Sequence, residues 1–277
     1  MATPEGRTPD ALRRQFLQTF QQIARHKHRY DVFRDFVILA ATALHNGAVM
    51  DEARETEYVT TTGGYAPEDI EAFPKLLAIL VELLQPEPRD ILGPLYMELE
   101  IASREQGQFF TPPELSELMA RMTFGPDLLK PLETASFITV SEPACGAGGM
   151  VLSLVKVLIE EGYDPAKHLW VQCVDVNRLA ALMCYVQLSL WNVPAEIIVG
   201  NSLTLEEREV WHTPAHYMGF WSARLARRDA ERSEGRSSPA PAEQETPAPR
   251  ASPPKPPEDS APSIDVQLPG EQLGFDF

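Results

Sequence analysis

The sequence predicts an α/β protein built on a parallel sheet and preceded by an all-helical region. Short β-branched runs alternate with apolar helical stretches between Phe137 and Val199, a glycine-rich turn follows the first of those runs, and residues 1–104 show helical periodicity. Leu12, Phe16, Phe20 and Ile23 recur at helical spacing, and Phe33, Phe36, Val37, Ala40, Ala41 and Leu44 do so until Asn46-Gly47 stops the run. After a polar stretch ending in Thr61-Thr62-Gly63-Gly64, a further helix starts near Pro67-Glu68-Asp69. It carries the apolar run Leu76 to Leu84, and Pro86 and Pro88 close it. Asp90 to Ile101 is amphipathic again.

From Phe137 the period changes. Phe137-Ile138-Thr139-Val140 reads as a strand, followed by the glycine-rich turn and the apolar helix Val151 to Ile159. Trp170 to Val174 is a second strand, Leu179 to Leu190 a helix, and Glu196 to Val199 a third strand. This spacing implies parallel strands with right-handed crossovers, a doubly wound α/β architecture. Beyond about Arg228 the composition turns to Pro, Ala, Ser and Glu, which bury too little apolar surface to offset chain entropy, so disorder is expected up to an apolar island at Leu268 to Phe277. The domain limits that follow are 1–104 helical, 105–226 α/β and 227–277 tail.

With 277 residues and 44% hydrophobic composition, the chain is long enough for a substantial core. Cys145, Cys173 and Cys184 have no metal-ligand spacing and sit in apolar stretches, so no metal is expected and a reducing, cytoplasmic compartment is. No segment approaches the ~20 apolar residues of a bilayer span, so no membrane partner is expected. The net charge of -16 excludes DNA binding through an overall positive field, because phosphate contact needs clustered Lys and Arg. Any DNA contact must be local or come from a partner. The candidate stretch is Arg7, Arg13, Arg14, Arg25, Lys27, Arg29 and Arg34, against which stands a solvated helix face, the commoner meaning of a charge run.

Ser141-Glu142-Pro143-Ala144-Cys145-Gly146-Ala147-Gly148-Gly149 ends the first strand, where glycines let backbone approach a ligand. It lacks the G-x-G-x-x-G spacing of a dinucleotide site and the Gly-Lys-Ser/Thr of a phosphate loop. Asp175 follows the second strand, where a carboxylate accepts hydrogen bonds from both ribose hydroxyls of an adenosine-bearing ligand; the competing role is a helix N-cap. Asn201 closes the third strand and has two readings, an adenine contact or a turn cap.

Gly107-Gln108-Phe109-Phe110-Thr111-Pro112, then Glu142-Pro143-Ala144-Cys145-Gly146, Val174-Asp175-Val176-Asn177 and Gly200-Asn201-Ser202-Leu203 form an ordered series that resembles the N6-adenine DNA methyltransferases, above all the modification subunits of type I restriction systems. The likeness runs from about Asp90 to Asn201. It implies a Rossmann-like fold that binds S-adenosyl-L-methionine through Glu142, Ala144, Gly146, Gly148, Asp175 and Asn201. Phe109, Phe110 and Thr111 would close over the methionine end. On residue chemistry alone, Thr111 is an N-cap with Pro112 at the first helical position. The partners implied are double-stranded DNA and a specificity or partner subunit.

One departure from the resemblance matters for catalysis. Members that transfer the methyl carry Asn or Asp, two prolines and an aromatic after the fourth strand, which accept the target amino hydrogens and stack the flipped base. The nearest segment here is Thr213-Pro214-Ala215-His216, leaving Thr213, Pro214 and His216 as catalytic candidates, with His212, Tyr217 and Trp221 as stacking candidates or edge packing. A threonine hydroxyl polarises an amine less than a carboxamide or carboxylate, and Ala215 removes a turn-stiffening proline. At the C-terminus, Gln272, Leu273, Phe275 and Phe277 resemble the peptide by which bacterial proteins dock on the DNA sliding clamp, with back-docking on the chain's own surface as the competitor. The function expected is adenine-N6 methyl transfer to DNA; the alternative is an accessory protein that binds the cofactor without efficient transfer. A methyltransferase of small molecules or proteins ranks third, because the Gly-Gln-Phe-Phe-Thr-Pro element argues against it.

Overall fold

A computed structural model describes residues 7–99, 118–119 and 130–237. The expected helices form. Thr8 caps α1 (Pro9–Gln22) by accepting from Ala11 N, and Gly47 ends α2 (Arg29–Asn46). The single helix expected from Pro67 to Leu84 is divided at Glu71 into α4 (Pro67–Ile70) and α5 (Ala72–Leu84), and α6 (Leu92–Glu98) lies within the amphipathic stretch expected from Asp90. Between α2 and α4 lies a helix that periodicity missed, α3 (Glu52–Thr62), none of whose residues is buried. Polar chemistry makes it: Asp51 caps Ala53 N and Arg54 N, while the hydroxyls of Thr56, Thr60 and Thr62 donate to carbonyls one turn back.

The sheet contains β1 (Ile138–Glu142), β2 (Leu169–Asp175), β3 (Ala195–Asn201) and β4 (Glu206–His212), in the order β1-β2-β3-β4. The first three are parallel, as expected. β4 is antiparallel to β3, which the sequence reading did not anticipate, because its charged residues show no strand-like alternation. A bulge at Val199/Gly200 sets this pairing, and only glycine fits there: a Cβ on Gly200 would lie 2.1 Å from the Glu206 carbonyl oxygen.

α7 (Gly149–Glu160) leads from β1 to the short α8 (Pro165–His168), and α9 (Arg178–Leu190) crosses from β2 to β3. Because strand order never reverses among the described residues, right-handed crossovers place α7 and α9 on one face, while the segment after β4 covers part of the other, where Trp170 Nε1 donates to His216 and Arg228 donates to Thr139 Oγ1. The buried face carries Cys173, Ile197 and Trp211 in register. The opposite face carries Ser141, Gln172, Glu196 and His212, a polar row across all four strands. Gln172 donates to Glu196 (3.0 Å), and His212 Nε2 lies 2.9 Å from the other Glu196 oxygen, so this half-exposed face satisfies its polar groups internally.

α10 (Pro214–Met218) and α11 (Trp221–Ser237) follow β4. α11 runs past the boundary expected at 227, because Trp221 is buried against Phe137 and Arg228 donates to Thr139 Oγ1. The chain divides into a compact unit through Arg232 and a remainder from Ser233. The expected border at 104 is not a border between cores: one hydrophobic cluster joins Phe16, Phe20, Phe33 and Tyr96 to Leu152, Cys173 and Val186. No helix among the described residues is long and apolar enough to cross a membrane. The clamp-like peptide lies outside the described residues.

Candidate functional site

The carboxyl ends of β1 and β2 bring the predicted turn and the predicted acid together. Gly146 N donates to Asp175 Oδ2 at 2.8 Å, and Cys145 N donates to the Val174 carbonyl at 2.9 Å, so the turn is pinned to the end of the neighbouring strand. Gly146 and Gly148 have φ of 53° and 93°, which favour glycine, and a Cβ on Gly148 would meet Cys184 Sγ at 2.9 Å. Asp175 Oδ1 accepts from Asn177 N (2.8 Å), while the N-cap of α9 is Asn177, whose side chain accepts from Ala180 N. The competing N-cap role thus falls to Asn177. The Asp175 carboxylate keeps acceptor capacity beyond its two backbone donors.

Glu142 accepts from Ala144 N at 3.1 Å, and burial pushes its carboxyl above the ordinary range. Asn201, at the end of β3, accepts from Leu203 N (2.9 Å) and Thr204 N (3.4 Å), which is the turn-cap reading. Phe109, Phe110 and Thr111 lie outside the described residues.

Sequence reasoning missed the residues that hold the turn from behind. Gln187 is fully buried in α9; its Oε1 accepts from Ile91 N (2.7 Å) and Leu92 N (3.2 Å), and its amide donates to Ala147 O (2.8 Å) and Asp90 Oδ1 (2.9 Å). Asp90 also accepts from Gly93 N at 2.9 Å, and burial raises its pKa. This network ties the helical region to the glycine turn, and only a buried amide in an otherwise apolar helix hinted at it. α3 reaches the same edge through polar contacts: Arg178, at the start of α9, pairs with Glu57 (2.8 Å) and with Glu209 of β4 (2.6 Å).

The catalytic candidates are corrected. β4 runs antiparallel from Glu206 beside Asn201 to His212 beside Glu196, carrying Thr213, Pro214 and His216 to the amino end of β3. The six residue steps of β3 separate the two ends by roughly 20 Å. There the fully buried Thr213 hydroxyl donates to Val193 O (2.7 Å) and accepts from Ala195 N (2.9 Å), leaving it committed to backbone. His216 accepts from Trp170 Nε1 (3.1 Å) and contacts Ser222 Oγ (2.9 Å); burial, with His212 beside it, lowers its pKa to about 4. His212, Tyr217 and Trp221 belong to this same amino-edge packing.

A glycine turn hydrogen-bonded to an acid one β-α unit later, at the carboxyl edge of parallel strands, is the arrangement of a Rossmann-like α/β half. Residues 88–220, just under half of the chain, match the N-6 DNA Methylase family. The methylase subunit of a type I restriction enzyme from Mycoplasma pneumoniae is 28% identical over 116 residues, covering 41% of this chain and 20% of that subunit. The chain thus matches about a fifth of that relative's length. A class I S-adenosylmethionine-dependent methyltransferase from Listeria monocytogenes aligns over 67% of this chain and 52% of its own at 14% identity and a TM-score of 0.35. The fold assignment rests on strand order and not on that likeness.

Proposed function

We propose that this chain is the cofactor-binding part of an N6-adenine DNA methylase, holding S-adenosyl-L-methionine at the carboxyl edge of β1 and β2. The 2.8 Å bond between Gly146 N and Asp175, within a segment matching the N-6 DNA Methylase family, carries the proposal. The chain's groups fit the ligand: Gly146 and Gly148 leave backbone bare of side chains, and Asp175 has acceptor capacity for ribose hydroxyls. Glu142 and Ala144 belong to the turn, Asn201 is proposed to contact the adenine, and the role proposed for Phe109, Phe110 and Thr111, which lie outside the described residues, is to close over the methionine end. When bound, the cofactor supplies an electrophilic sulfonium methyl.

Double-stranded DNA is the proposed substrate. The N-terminal basic stretch is mostly engaged within the chain: Arg7 pairs with Glu82, Arg13 with Glu98, Arg34 with Asp31 and Asp35, and Arg29 donates to four backbone carbonyls. On α11, Arg224, Arg227 and Arg228 border a groove of about 420 Å³ with Thr134 and Ser136, but they are engaged within the chain as well: Arg224 donates to Lys167 O, Arg227 pairs with Glu231 and Arg228 with Asp229. A specificity or partner subunit is proposed to complete target recognition. The peptide of Gln272, Leu273, Phe275 and Phe277 is proposed to dock on a sliding clamp; removing it should abolish clamp capture, and retained capture would exclude it.

The position of Thr213 at the amino edge favours a second reading, an accessory protein that binds the cofactor and leaves transfer to another chain. Calorimetry with S-adenosylmethionine on wild type and Asp175→Ala tests the pocket. Tritium transfer from the labelled cofactor to mixed-sequence duplex DNA separates the two readings: label on DNA supports the methylase, and cofactor binding without label supports the accessory protein.

A further inference from the structure

Beneath the glycine turn, three cysteines converge from three different elements. Cys145 lies in the turn, Cys173 on β2 and Cys184 on α9, and their Sγ atoms all lie within 4.8 Å of one another. All three are buried and unpaired by any disulfide, with Cys145 the most exposed at 7%. Their separations in sequence, 145, 173 and 184, spell no metal motif, so only the fold assembles them.

Metal–thiolate bonds are about 2.3 Å long, which places three sulfurs around one ion about 4 Å apart. The observed trio needs only a small contraction to reach that spacing.

We propose that Cys145, Cys173 and Cys184 form a buried three-thiolate site for one soft d10 cation of the zinc(II) or copper(I) class. Soft sulfur donors select these ions over magnesium or calcium, and among the described residues the group contains no carboxylate or imidazole that would favour a harder ion. Binding exchanges three S–H bonds for three metal–sulfur bonds and releases the thiol protons to solvent, with no change of oxidation state. Entry would be from the turn side, where Cys145 is the least buried of the three. The bound ion would staple the turn to β2 and α9, fixing the backbone that also carries Gly146 and Gly148. This site is independent of the methylase proposal, since no residue of the trio contacts DNA or cofactor in that reading.

Anaerobic titration of the reduced full-length protein with cadmium(II) alone, followed by ultraviolet sulfur-to-metal charge-transfer absorption, tests it. The expected result is saturation at one equivalent, with a rise in melting temperature and slowed alkylation of Cys145 in the wild type. Cys173→Ser, confirmed folded by circular dichroism, should weaken binding at least about 100-fold, since losing a ligand costs more than losing an outer-shell partner. If Cys173→Ser does not fold, the alkylation and melting measurements on the wild type decide. Absence of the absorption band, an unshifted melting temperature, or equal cadmium affinity in Cys173→Ser would overturn the site and leave the trio as core packing. Zinc(II) and copper(I), titrated separately, identify the preferred ion.

Discussion

The two ends of the same four strands have opposite chemistry. At the carboxyl end, backbone N–H groups converge on one carboxylate that keeps acceptor capacity, and Gly146 and Gly148 adopt positive φ in the turn beside it. At the amino end, Thr213, His216 and Trp170 use their polar atoms on one another and on the backbone. The first arrangement leaves acceptor capacity for the ligand proposed above, and the second closes a core. A polar residue in a promising stretch therefore means little until its partners are known, because a fully engaged hydroxyl or imidazole has nothing left to offer a substrate.

Substitutions that cut the support of the carboxyl end should have the largest effect. Gln187→Ala strips partners from Ile91 N, Ala147 O and Asp90 together, and should cost about 4 kcal/mol in denaturant unfolding while weakening S-adenosylmethionine binding. A loss below about 1 kcal/mol would mean that water replaces the amide. Gly200→Ala drives a Cβ into the Glu206 carbonyl, and a loss of about 3 kcal/mol, with breakdown of the β3–β4 pairing in hydrogen exchange, is expected.

At intermediate size, Asp175→Ala should reduce cofactor affinity by about 1.5 to 3 kcal/mol in calorimetry, and unchanged affinity would remove the carboxylate from the ribose role. Thr213→Val should destabilise by about 1 to 3 kcal/mol through the stranded Ala195 N and Val193 O, yet leave cofactor affinity untouched. Cofactor affinity that fell with Thr213→Val at full stability would erase the contrast between the ends.

The smallest expected effect concerns pH. His216, lowered to about 4 when folded, takes up a proton more readily once unfolded, so stability should fall as pH drops from about 6.5 toward 4. Glu196, held low first by its His212 hydrogen bond, adds stability above its unfolded pKa that is lost as pH falls through the folded value. Both trends weaken the amino end in acid. His216→Gln should flatten the slope of melting temperature against pH across that window; an unchanged slope would place the acid sensitivity elsewhere.

Much of this protein was legible because its information is local. The alternation of strands and helices from Phe137 to Asn201, the glycine turn, the placement of Asp175 at a strand end and the stop of α2 at Gly47 all follow from periodicity and residue chemistry within a few positions. α3 escaped because it buries no residue and is held by a cap, hydroxyls and Arg178. The antiparallel turn of β4, the pairing of Gln187 with Asp90 and Ala147, and the meeting of the three cysteines were decided only by tertiary structure. Each depends on a partner far along the chain, and a local pattern carries no information about which distant atom will satisfy a buried polar or thiol group.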